Sequence, residues 1–299
     1  MTIPHALTLG IIQGLTEFLP ISSSGHLVFL PVLFGWEDQG LAFDAMLHVG
    51  TLVAVVFYFR KKLWEIFVGM KQIRGLYADD ANHADMSIPD SSFRILTSRR
   101  LGWLLLLSTI PAVVVGFLLQ KVVQIEIRST AVIGFNFIFW GVILYIADRY
   151  NNNLHKNNLL VLNSAKPDSQ SPSLQSIGWK QTLFIGCAQA VALIPGVSRS
   201  GITMTAGLFS KFDKKSAAEF SFLMSVPIIA MAGGLKVFQL FRYGLLDLQI
   251  HSLVIGFVAS MVSGFFAIHW LMKIIQKYSF LPFVVYRIVV GLLILVFLA

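Results

Sequence analysis

Gln13-Gly14-Leu15-Thr16-Glu17-Phe18-Leu19-Pro20-Ile21-Ser22-Ser23-Ser24-Gly25-His26 returns, 176 residues later, as Gln189-Ala190-Val191-Ala192-Leu193-Ile194-Pro195-Gly196-Val197-Ser198-Arg199-Ser200-Gly201. Both stretches start at a glutamine, run through mostly apolar residues and end in a Ser-x-Ser-Gly turn. Only the first copy carries an acid (Glu17) and a trailing imidazole (His26). Only the second carries a guanidinium (Arg199). Together they hold hydroxyls, a carboxylate, an imidazole and an arginine fork, a set suited to phosphate chemistry.

The setting is a membrane. Hydrophobic residues make up 56% of the 299, charged residues 13%, and mean hydropathy is +0.74. Soluble domains average about 25% charged residues, so a soluble enzyme with a large core is excluded. Six segments approach the roughly 20 residues needed to span: 42–59, 101–120, 130–148, 217–240, 251–274 and 281–299. Runs such as Trp103–Leu107 and Val289–Leu298 lack the alternation of barrel strands, so the expected class is an all-α polytopic membrane protein. The first 30 residues have no basic n-region, and no cleavable signal peptide is expected. The single Cys187 excludes an internal disulfide and is read as a small packing residue.

A net charge of +8 invites a nucleic-acid reading, but the distribution opposes it. If 60–100 is cytoplasmic, alternation puts 149–181, 211–216 and 273–280 on the same side. Those four loops hold 17 of the 23 Lys and Arg, against three in the opposite loops. That bias is positive-inside topology. It assigns no nucleic-acid partner and puts both termini on the outer side.

Each half repeats one order, a motif segment followed by three spans. The first repeat is 1–150, with its motif segment at about 4–34. A polar cytoplasmic linker follows at 151–180, rich in Asn, Ser, Lys and Pro near 151–178. The second repeat is 181–299, with its motif segment at about 181–210. Three spans per half reverse the second half, giving an inverted-topology repeat. The apolar arms 6–19 and 181–194 are too short to cross and are broken by Pro20, Gly25, Pro195, Gly196 and Gly201. They read as two re-entrant helical hairpins whose turns meet near the midplane, where irregular backbone needs cover from protein or water.

In the second turn, Ser198, Arg199, Ser200, Gly201 and Thr203 form a phosphate cradle: backbone N–H groups at a helix start, hydroxyl donors and a bidentate arginine. The bland reading is a helix break with capping serines and an arginine reaching the headgroups. An arginine amid apolar sequence is costly without a partner, which favours function. In the first turn, Ser22, Ser24 and Gly25 extend the cradle. Ser23 is a candidate nucleophile, with His26 three residues on as its base; attack by His26 itself is equally open. Glu17 orients the imidazole or holds a cation, and Gln13 lies one turn before it. The bland alternatives are capping roles for both. Asp44 and His48, four apart on one span entrance, are weaker candidates. Glu219 and Arg287 read as a structural pair, and Asn136 as ordinary helix packing.

These motifs resemble the bacterial undecaprenyl-diphosphate phosphatases, the bacitracin-resistance family, along nearly the whole chain. The Glu/Gln-x-x-x-Glu pattern stands at Gln13 to Glu17, Ser-Ser-(Ser/Thr)-Gly-His at Ser22 to His26, and Pro-Gly-x-Ser-Arg-Ser-x-x-Thr at Pro195 to Thr203. The resemblance implies hydrolysis of a C55 polyprenyl diphosphate to its monophosphate and inorganic phosphate. It also implies a divalent cation (Mg²⁺ or Ca²⁺), a bacterial inner-membrane location and a site open to the periplasm. By motif position it assigns Glu17, Ser23, His26, Ser198 and Arg199 to the core. Position 13 is Gln where some members have Glu, which leaves one carboxylate for a metal.

The expected reaction follows. Arg199, the serines and the turn amides hold the diphosphate beside the cation, and Ser23 or His26 attacks the terminal phosphorus in line, with Ser23 as nucleophile and His26 as base the preferred assignment. The rival class is a transporter or flippase for a phosphate-bearing lipid or anion, since inverted repeats with broken segments are a transporter design. Glu17 with His26 discriminates, because an anion carrier has little use for a carboxylate beside its anion. The sequence is silent on whether two copies form a homodimer.

Overall fold

A computed structural model describes residues 1–71, 90–118, 129–162, 174, 177–243 and 250–299. Its helices, in chain order, are α1 (Ile3–Phe18), α2 (Ser23–Phe34), α3 (Gly40–Tyr58), α4 (Arg60–Lys71), α5 (Asp90–Leu118), α6 (Thr130–Leu162), α7 (Trp179–Val191), α8 (Arg199–Phe209), α9 (Lys214–Tyr243), α10 (Ile250–Ile274) and α11 (Leu281–Phe297). Among the described residues five stretches are long and apolar enough to cross a bilayer: Gly40–Tyr58, Leu96–Leu118, Thr130–Leu154, Lys214–Gln239 and Ile250–Ile274. The protein is an all-helical, multi-pass membrane protein. Large apolar side chains such as Phe117, Val296 and Trp270 face outward, which suits lipid as the solvent.

The expected span at 281–299 is α11, at 17 residues the shortest of these apolar helices after α2. At about 1.5 Å per residue it is roughly 25 Å long. The span expected to end at 148 continues as helix to Leu162, into the stretch read as linker. Asn151 explains part of that continuation: its amide donates to Leu208 O and Phe212 O and ties α6 to the end of α8. The rest of the two polar connectors lies largely outside the described residues.

α1 with α2, and α7 with α8, form two helix–turn–helix hairpins. α1 lies against α10 and α7 against α5. The same register position makes each approach possible. A Cβ on Gly10 would stand 2.6 Å from Gly256 O, and one on Gly186 would stand 2.5 Å from Ser108 O. Small residues at such crossings let backbones meet where lipid offers no hydrophobic drive. α3 packs on α9 and α10, and α6 packs on α11 and α8, so the two turns are enclosed. Beneath them, Phe18, Phe59 and Phe222 belong to the main buried cluster. Cys187, read as a packing residue, is exposed instead.

Candidate active site

The first turn follows from local sequence. Leu19 precedes Pro20, and a residue before proline is pushed from helical to extended backbone. Leu19 accordingly sits at φ −70°, ψ 143° and ends α1. Ser22 then adopts φ 74° and caps α2, its Oγ accepting from Gly25 N at 3.3 Å. The second turn repeats this. Gly196 takes φ 88°, and Ser198, at φ 76°, accepts from Gly201 N at 3.1 Å. Positive φ is costly for a non-glycine residue, and in both turns the cap bond offsets part of that cost.

The residue after each capping serine points to one acid. Ser23 Oγ donates to Glu17 Oε2 at 2.5 Å, and Arg199 Nη2 donates to Glu17 Oε1 at 2.5 Å. Gln13 Nε2 adds a third bond, to Oε2, at 3.0 Å. Glu17 is only 6% exposed, so its charge depends on these donors. His48 Nε2 stands 3.6 Å from Oε2. Arg199 Nη1 reaches Ser221 O.

A cavity of about 460 Å³ opens from this cluster. Glu17, Ser23, Ser24, His48, Ser198 and Arg199 form its polar end, and Leu27, Leu41, Leu193 and Ile229 are among its apolar walls. The first amides of α2 and α8, at Ser23, Ser24, Arg199 and Ser200, precede the first helical bonds His26 N→Ser22 O and Ile202 N→Ser198 O. They therefore have no acceptor within their own helix, the usual disposition for an anion. One end suits anionic oxygens and the other suits hydrocarbon.

The bacitracin resistance protein BacA family pattern matches residues 6–293. This chain belongs to the bacitracin resistance protein BacA family. Relatives cover it end to end. Undecaprenyl-diphosphatase 1 of Pseudoalteromonas translucida is 41% identical over 298 residues, 100% of this chain and 99% of the relative. Undecaprenyl-diphosphatase 2 of Stutzerimonas stutzeri is 41% identical over 296 residues, covering 99% and 98%. The undecaprenyl-diphosphatase of Teredinibacter turnerae is 39% identical over 297 residues, covering 99% of each chain.

Within this BacA-family chain some motif residues reach the cavity, others build the turns, and Ser198 does both. Glu17, Ser23, Ser24, Ser198 and Arg199 reach the cavity. Ser22 and Ser198 are caps. Ser200 donates to Leu19 O at 3.0 Å, joining the two turns. Thr203, 1% exposed, pairs with Ser221 Oγ at 2.7 Å. Gly25 and Gly201 supply the N–H groups that the caps accept. His26 is turned away from the cavity. Its Nδ1 bonds Ser22 O at 2.7 Å, and its Nε2 meets Tyr286 Oη at 2.6 Å. A carbonyl only accepts, so Nδ1 carries the proton and Nε2 takes the tyrosine's. His26 lines a separate recess with Phe29, Trp270 and Tyr286, and the expected base–nucleophile contact with Ser23 is not where this imidazole points.

The expected Glu219–Arg287 pair does not form. Glu219 pairs with Lys62. Arg287, 0% exposed, donates to five backbone carbonyls: Phe137 (3.1 Å), Pro20 (3.2 Å), Asn136 (3.0 Å), Gly196 (3.0 Å) and Val197 (3.1 Å). Pro20 and Gly196 are equivalent positions of the two repeats, so one guanidinium clamps both turns. Asn136 joins the clamp through Pro195 O at 2.9 Å. The signal for Arg287 lay in the sequence: an arginine within an apolar run needs partners there as much as Arg199 does. Tyr286 carried no such signal.

Proposed function

We propose that this protein hydrolyses undecaprenyl diphosphate to undecaprenyl phosphate and inorganic phosphate, recycling a lipid carrier and so conferring bacitracin resistance. One observation carries the reading. A serine hydroxyl and an arginine fork meet on the two oxygens of one buried carboxylate, at the end of a cavity whose walls are hydrocarbon. The full-length relatives named undecaprenyl-diphosphatase give the substrate its identity.

In this reading the terminal phosphoryl group enters the polar end, where Arg199 and the first-turn amides of α2 and α8 take its oxygens. Ser23 Oγ attacks the terminal phosphorus. The new O–P bond forms as the bond to the leaving undecaprenyl phosphate breaks, and the serine proton passes to Glu17 Oε2. Such a transfer depends on positioning and charge neutralisation more than on covalent strain. The prenyl chain runs along the apolar walls toward lipid.

A divalent cation, Mg²⁺ or Ca²⁺, belongs to the proposal. Among the described residues no group of three His, Cys, Asp or Glu forms a cage. The donor set instead fits an ion held by one carboxylate together with substrate oxygens and water, as Mg²⁺ commonly is. Glu17 would hold it through Oε1, leaving Oε2 for the serine proton, and Gln13 Oε1, buried without a hydrogen-bond partner among the described residues, offers a second oxygen. When bound, the ion would neutralise phosphate charge.

The proposal extends to topology: six spans, counting α11, and two re-entrant hairpins in an inverted repeat. The exchange of partners, α1 on α10 and α7 on α5, supports it, as do the matched φ values of Ser22 and Ser198. An inner-membrane protein with the site facing the periplasm fits the charge bias. Leu41, Asp44, Ala45, Leu235 and Lys236 line the cavity at the ends of α3 and α9 remote from the basic loops.

The test is phosphate release from undecaprenyl diphosphate by detergent-purified protein, with and without Mg²⁺ or Ca²⁺. Ser23→Ala and Arg199→Ala, confirmed as folded, should each lose about 10²-fold or more in kcat. A folded wild type that releases no phosphate from this lipid sinks the hydrolase reading and puts a carrier of phosphate-bearing lipid in its place.

A further inference from the structure

Two histidines belong to this region, and the motif one is spent. Both ring nitrogens of His26 are bonded, and the ring is 3% exposed. His48, outside both motifs, is arranged differently. Its Nδ1 lies 2.7 Å from Asp44 O. A carbonyl can only accept, so Nδ1 donates to it, and in the neutral tautomer that this bond selects Nε2 is the ring's acceptor. That nitrogen is 3.6 Å from Glu17 Oε2, the oxygen that Ser23 bonds. His48 lines the same cavity as Ser23 and Arg199, with its side chain 31% exposed.

We propose that His48 is a catalytic residue of the BacA-family reaction in this chain: the base that takes the proton of the water resolving the phosphorylated serine. The inference rests on the hydrolase reading with Ser23 as nucleophile. After the first step Glu17 holds the serine proton and has no capacity left as a base. The polar end then needs a second acceptor that water can reach. Of the other groups lining the cavity, Arg199 only donates, the hydroxyls of Ser24 and Ser198 are weak bases, and the Asp44 carboxylate is engaged by Gln39 Nε2 at 2.7 Å. His48 Nε2 meets the need. Water oxygen bonds to phosphorus, its proton goes to Nε2, and the phosphorus–Ser23 Oγ bond breaks. The serine oxygen regains its proton from Glu17, inorganic phosphate leaves, and the imidazolium then gives its proton to bulk water through the open side of the cavity. Atoms and charge balance, and no co-reactant is required.

Rapid-quench turnover with undecaprenyl diphosphate labelled with ³²P at the terminal phosphate separates the steps. His48→Gln should cut steady-state turnover by about 10²–10⁴-fold, the usual range for a lost general base. Labelled protein should accumulate toward one phosphate per chain, and the label should be absent in Ser23→Ala. His48→Ala should regain turnover with added imidazole, a readout independent of how glutamine packs. His26→Gln should leave no such labelled species. Turnover within threefold of wild type in both His48 variants overturns the proposal. So does lost turnover with no labelled protein and no imidazole rescue, which would make His48 a structural residue. Either result leaves the hydrolase reading intact as long as wild type releases phosphate. Wild type that releases none sinks that reading instead.

Discussion

The α1–α2 turn and the α7–α8 turn are one backbone device used for two chemical purposes. Each places a serine at positive φ, Ser22 at 74° and Ser198 at 76°, and each lets that serine cap the next helix. The next residue then faces the shared acid. In one copy it is a hydroxyl, Ser23; in the other it is a guanidinium, Arg199. The acid itself is unmatched, since the position equivalent to Glu17 is Leu193, which lines the apolar wall. The shared backbone thus supplies geometry, and the differences at two or three positions supply chemistry. A phosphoryl-transfer site needs a nucleophile and an anion binder at opposite sides of one phosphorus, and two facing copies of a turn provide that spacing.

The comparison can be broken or sharpened by substitution. The largest effect belongs to Arg287, which serves both turns at once. Arg287→Met should destabilise the protein by about 3–5 kcal/mol, because the carbonyls it served stay buried without donors. Thermal unfolding in detergent would register this, with loss of phosphate release. A variant as stable and active as wild type would deny the clamp. Next comes the unmatched acid. Glu17→Gln should keep the fold and lower kcat by about 10²–10⁴-fold, as expected for a lost proton acceptor. Activity within tenfold of wild type would remove Glu17 from the first step.

Smaller effects test whether the turns are equivalent in packing. An added Cβ at Gly25 would lie 2.4 Å from Phe137 Cε2, whereas at Gly201 the nearest atom is Ser198 Oγ at 2.9 Å. A ring in a packed cluster yields less easily than a hydroxyl. Gly25→Ala should therefore cost about 1–3 kcal/mol and Gly201→Ala less, compared by melting temperature; the reverse order would contradict the packing. Smallest and most alike, Ser22→Ala and Ser198→Ala should each cost about 1 kcal/mol through the lost cap. Clearly unequal values would show that the turns are not one device.

Much of this was legible in the chain. The all-helical membrane class followed from hydropathy, and the hairpins followed from Pro20, Pro195 and Gly196 breaking arms too short to cross. Glu17, Ser23 and Arg199 could be named because polar groups in apolar sequence demand partners. What stayed hidden was direction. His26 follows Ser23 by three residues, and spacing alone cannot tell that its ring turns toward Tyr286, 260 residues away. Asn136 looked like packing until its amide was seen on Pro195 O. Pairing Glu219 with Arg287 was a matching of opposite charges, whereas Arg287 uses five carbonyls in place of a carboxylate. Contacts between residues remote in sequence leave no periodic trace.

The clamp also has a timetable. Arg287 stands 267 residues after Pro20, whose carbonyl it holds. At roughly 5–20 residues per second of synthesis, the first turn waits about 13–53 s for its guanidinium. Throughout that interval the Pro20 carbonyl is without its final donor. Insertion of α11 is then the event that completes the site. A ribosome stalled short of that helix would leave in the membrane a chain with every motif residue present and no working centre.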